Sequence, residues 1–69
     1  MRMTKIDLNS DIYSEDSVWQ AISAYKGYAN ISMKSKNGYF FVTFSKCKYD
    51  EQRTVKEFEN YLIGVENSK

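Results

Sequence analysis

Between Met3 and Leu8, Ile6 and Leu8 alternate with Lys5 and Asp7. That is the two-residue period of a strand with one buried side. The polar run Asn9-Ser10-Asp11 reads as a turn. Ser14 then stands where a helix N-cap belongs, ahead of Glu15 and Asp16, acidic residues favoured in a first turn by the positive end of the helix dipole. Tyr13 and Val18 bracket that cap with the spacing of a hydrophobic staple. Val18, Ala21, Ile22 and Tyr25 recur at helical spacing, and Gly27 is placed to end the helix in the left-handed conformation.

Asn37-Gly38 is the preferred dipeptide of a two-residue type I′ hairpin, and the register follows by counting outward. Lys36 faces Tyr39, Ser35 faces Phe40, Lys34 faces Phe41, Met33 faces Val42, Ser32 faces Thr43 and Ile31 faces Phe44. One side of the hairpin then carries Ile31, Met33, Phe40, Val42 and Phe44. The other carries Ser32, Lys34, Lys36, Tyr39, Phe41 and Thr43, a separation that a slip of one residue would destroy.

Downstream, Asp50 is placed to cap a second helix, with Thr54 and Glu57 as an alternative capping box one turn later. Val55, Phe58, Leu62 and Val65 form its apolar stripe. Gly64 is expected to weaken or terminate that helix, and Asn67-Ser68-Lys69 to fray. The order strand, helix, strand, strand, helix predicts an α+β, two-layer sandwich: a three-stranded sheet with two helices on one face. This is the ferredoxin-like plan without its last strand, which leaves a sheet edge open to a second chain or a captured peptide.

Composition narrows the chemistry. The chain has 69 residues, enough for one domain (residues 1–69) and too few to enclose a deep pocket. It has no histidine and one cysteine, so no Ser-His-Asp or Cys-His pair, thiolate zinc site or internal disulfide can form from it. No phosphate-cradling glycine loop occurs, and the acidic pairs Glu15/Asp16 and Asp50/Glu51 fall at helix starts, where capping accounts for them. The reading is a protein that is not an enzyme, with no cofactor and no metal. The longest apolar run, Tyr39-Phe40-Phe41-Val42, is far short of a membrane span, and no secretory signal follows Met1-Arg2-Met3. A soluble, cytoplasmic protein is expected.

The surface side of the hairpin holds the candidate site. Tyr39 and Phe41 project there beside Lys34 and Lys36. Gly38-Tyr39-Phe40-Phe41-Val42-Thr43-Phe44 resembles the aromatic octapeptide of the RNA-recognition motif, with Tyr39 and Phe41 on its two stacking positions. Asn37 stands where that motif has a basic residue, Phe40 where it has glycine or alanine, and Ile6-Asp7-Leu8 lacks its companion aromatic. Base stacking also needs phosphate neutralisation, and a net charge of +1 supplies little. A protein or peptide contact is therefore favoured over single-stranded RNA or DNA. Trp19, about 100° around its helix from Val18, flanks the core stripe and is either packing or an exposed interface anchor. Cys47 lies between Lys46 and Lys48, whose charge would depress a thiol pKa, but without a partner base it reads as structural.

Ile6-Asp7-Leu8, Ile12-Tyr13-Ser14-Glu15 and Ala21 to Tyr25, with Glu57-Phe58-Glu59-Asn60-Tyr61-Leu62 near the end, resemble the HxsD-like proteins of bacterial His-Xaa-Ser peptide systems. Ile63-Gly64-Val65 departs from the polar, arginine-bearing ending of that family. The resemblance implies a small accessory protein encoded with radical-SAM enzymes, partnering a precursor peptide or a maturase. It assigns no functional residues. The expected partners are a protein or peptide and, through the sheet edge, a second copy.

Overall fold

A computed structural model describes residues 3–68. Strand β1 (Met3–Asn9) is followed by helix α1 (Glu15–Tyr25), the hairpin strands β2 (Asn30–Lys36) and β3 (Tyr39–Ser45), and helix α2 (Glu51–Asn67). The sheet order is β1-β3-β2, with both outer strands antiparallel to β3 and so parallel to each other. Both helices cover the same face, which gives the expected two-layer α+β sandwich.

The hairpin register is the one the Asn37-Gly38 turn dictates, from Lys36↔Tyr39 to Ile31↔Phe44. Asn37 and Gly38 both take positive φ, 53° and 82°, as a type I′ turn requires. β1 pairs Leu8 with Phe40, Ile6 with Val42 and Thr4 with Phe44. Leu8, Phe40, Val42 and Phe44 therefore share the inner face, where they meet Val18, Ala21 and Ile22 of α1 and Val55, Phe58 and Leu62 of α2. Phe44 and Phe58 meet edge-on at 5.0 Å between ring centroids.

The helix starts follow the sequence; α1 also stops just before Gly27, though not by the expected conformation, and α2 runs past its glycine. Ser14 Oγ accepts the Ser17 N–H and the Asp50 carboxylate accepts the Arg53 N–H, so Asp50 is the cap of α2 and not Thr54. Thr54 instead donates its hydroxyl to the Asp50 carbonyl. Gly27 does not adopt the left-handed conformation: α1 closes through Lys26 at φ −63°, and the Tyr28 N–H donates to the Tyr25 carbonyl. Gly64 does not end α2, which runs on to Asn67, with Ser68 at its C-cap. Of the segment expected to fray, Lys69 lies outside the described residues.

Candidate functional site

Alternation along three strands builds the outer sheet face. Directly opposed residues of antiparallel strands point to the same side. On the central strand Tyr39, Phe41 and Thr43 therefore stand between Asn9, Asp7 and Lys5 of β1 and Lys36, Lys34 and Ser32 of β2. Both helices lie on the other face, so among the described residues no element covers this one. Tyr39 is 44% exposed, Phe41 is half-buried by its neighbours, and their rings sit 6.3 Å apart at 37°. A shallow trough of about 340 Å³ runs along Phe41 and Thr43, walled by Lys5, Ser32, Lys34 and Lys36. The face thus combines an aromatic centre, flanking ammonium groups and one carboxylate, Asp7, directly across from Phe41.

Four of the five side chains singled out from the sequence, Tyr39, Phe41, Lys34 and Lys36, come together on this face. The fifth does not. Trp19 lies in the helical layer, 46% exposed, with its indole N–H donating to Glu15 Oε2 at 3.4 Å one turn earlier. It cannot join Tyr39 in a single contact without the partner wrapping the molecule.

A second aromatic surface was not legible in the pattern. Tyr49, Tyr28, Tyr25 and Tyr61 form a chain of ring contacts at 5.6–5.9 Å, and Tyr25 also meets Phe58 at 6.0 Å. Tyr25, Tyr28 and Tyr49 with Asp50, Arg53 and Glu57 line an open groove of about 500 Å³. The Lys48 N–H donates to the Tyr28 carbonyl at 2.7 Å, tying together the two loops that carry these rings. Here the polar groups already serve one another: Arg53 Nε donates to Glu57 at 3.1 Å, and Asp50 caps α2. The signal available in the sequence was the i, i+3 spacing of Tyr25/Tyr28 at the close of α1 and of Phe58/Tyr61 within α2.

Cys47 corrects an expectation. Lys46 and Lys48 do not lower its pKa; partial burial pushes the thiol up, and Glu51 and Asp50 add to this. It packs against the core cluster. Tyr25 is also shifted upward, first by burial and then by Glu57, Tyr28 and Tyr61. Among the described residues, no three His, Cys, Asp or Glu side chains group as metal ligands would. No described helix is long and apolar enough to cross a membrane. No protein-family model, curated protein or solved structure matches the chain.

Proposed function

We propose that the chain is a small non-catalytic accessory or adaptor protein that binds a peptide or protein partner on its outer sheet face. The observation that carries this reading is the uncovered Tyr39/Phe41 pair at the centre of that face, beside a trough walled by Lys5, Lys34 and Lys36. Aromatic side chains at the middle of a contact, ringed by polar groups, are the usual composition of an interface hot spot. The net charge of +1 favours a protein over a polyanion, because it leaves little to neutralise a run of phosphates. The HxsD-like resemblance is in keeping with the same role, and with it we propose a part in radical-SAM-dependent peptide maturation in the cytoplasm.

The test is affinity capture from the native cell, with and without nuclease, followed by titration of the captured partner. A Tyr39→Ala/Phe41→Ala variant should bind at least about tenfold more weakly, given ~2 kcal/mol for a hot-spot side chain. A Tyr28→Ala/Tyr49→Ala variant should bind as the wild type does. Unchanged binding by the first variant removes the outer face from the reading. Capture that vanishes with nuclease, together with salt-sensitive binding of short oligonucleotides, would replace the partner with single-stranded nucleic acid.

A further inference from the structure

The backbone of β1 determines how its open side can pair. The two-residue turn closes on Lys36↔Tyr39, which is the hydrogen-bonded pair flanking such a turn. Tyr39, Phe41, Thr43 and Ser45 therefore direct their backbone groups at β2, and Phe40, Val42 and Phe44 direct theirs at β1. The β1 residues opposite them, Leu8, Ile6 and Thr4, use their N–H and C=O inward. The Ser10 N–H, bonded to the Gly38 carbonyl at 2.9 Å, continues that phase. Met3, Lys5 and Asp7 are left with donors and acceptors pointing away from the sheet, and no described strand receives them; the Asn9 N–H points the same way, while its carbonyl accepts from the Ile12 and Tyr13 N–H groups at 3.0 Å.

We infer that this edge pairs with the β1 edge of a second copy, antiparallel, about a two-fold axis at Ile6. In that register Lys5 meets Asp7 of the second copy, Asp7 meets its Lys5, and Met3 and Asn9 meet reciprocally. The two Lys5–Asp7 pairs are formed by residues whose backbone groups point outward, so the hydrogen-bond ladder and the charge pairs fall on the same positions; at the two ends the Asn9 N–H can donate to Met3, while the Asn9 carbonyl stays with its own turn. All seven residues of β1 are paired. The adjacent registers with the same ladder phase, centred on Lys5 or on Asp7, shorten the pairing and set Lys5 against Lys5 or Asp7 against Asp7. Like charges directly opposite each other disfavour both. The β2 edge offers Lys34 and Lys36 and no carboxylate, the usual protection of an edge left to solvent.

The helical layer agrees with this axis. Thr4 donates to the Glu51 carboxylate, which sets the first turn of α2 over β1. Tyr61 faces Tyr25 of α1, and Ile63 lies about 200° around α2 from Tyr61. Ile63 is 44% exposed on that far side, where the two-fold axis sets α2 beside its counterpart. The product is a continuous six-stranded sheet carrying two Tyr39/Phe41 faces on one surface.

Sedimentation equilibrium of the full chain from about 1 μM to about 1 mM spans the affinities at issue. The wild type is expected to dimerise. Lys5→Glu and Asp7→Lys, each placing like charges opposite twice per dimer, should each raise the dissociation constant about tenfold or more. The Lys5→Glu/Asp7→Lys double variant, and an equimolar mixture of the two single variants, should both recover it, since each restores opposite charges at both sites. Circular dichroism identifies any variant that has lost its fold, and recovery in the mixture shows that both single variants are competent. A wild type that stays monomeric, single variants as tight as the wild type, or failure of the double variant and mixture to recover would each overturn the pairing. Partner capture on the outer face is read separately and does not depend on the result.

Discussion

At the scale of single residues, packing outweighs sequence neighbours. Cys47 has a lysine on each side in the chain, yet its thiol answers to burial and to Glu51 and Asp50, brought close by the turn into α2. Because its pKa rises on folding, the folded chain keeps this proton at a pH where the unfolded chain has released it. The associated stability is therefore present below the ordinary thiol range and lost as pH climbs through the raised value. Tyr25 contributes with the same sign higher up, above the ordinary tyrosine value of about 10. The urea midpoint of the wild type should accordingly fall between about pH 8 and about pH 11, and fall less steeply in a Cys47→Ser/Tyr25→Phe variant. The same protonated thiol should react with iodoacetamide at neutral pH more slowly than cysteine in a short peptide.

At the scale of elements, the three glycines separate what local chemistry fixes from what tertiary context decides. Gly38 sits at φ +82°, and a Cβ there would meet nothing closer than Ser10 Oγ at 3.8 Å. The cost of Gly38→Ala is therefore conformational, about 1 kcal/mol or more of lost stability. Gly64 lies inside α2 with open space around it, so Gly64→Ala should stabilise by about 1 kcal/mol, as measured by urea unfolding of both variants. The hairpin and its register were legible because a type I′ turn needs two residues tolerant of positive φ, and Asn37-Gly38 supplies both at one point. The N-caps were legible for a similar reason, since a cap is a bond between near neighbours. How α1 closes and where α2 ends were not. Gly27 was free to take the left-handed conformation, but the turn that joins Tyr28 to Tyr25 does not call on it. A contact beyond the glycine holds α2 past Gly64: the Glu66 carboxylate accepts from the Ser14 N–H and hydroxyl at 3.3 Å.

At the scale of the whole molecule, the described fold measures 31 × 26 × 16 Å, the thinness of one helical layer on one sheet. One face of the sheet is consequently free, and the alternation of β3 alone was enough to say which side chains stand on it. The chain of tyrosine rings escaped the sequence because its members come from α1, two separate loops and α2, and only the assembled chain brings them within contact distance. Trp19 shows the opposite limit: its residue type left packing and an interface anchor both open, and its exposed place on α1 separates it from the sheet face.

The central position of β3 also sets an order in time. Its pairing with β2 closes across a two-residue turn, whereas its pairing with β1 joins residues from Asn9 and Tyr39 to Met3 and Ser45, across most of the chain. A hairpin forms in about 1–10 μs, while the long loop must close before β1 gains its contacts. The hairpin should therefore be largely formed at the folding barrier and β1 added after it. In stopped-flow measurements, Gly38→Ala is expected to act mainly by slowing folding, and Ile6→Ala mainly by speeding unfolding. The strand with the open edge is then the last to dock and the first to leave. A chain caught between those steps presents both β1 and the vacated side of β3, so concentrated refolding of this protein has a built-in route to strand exchange between copies.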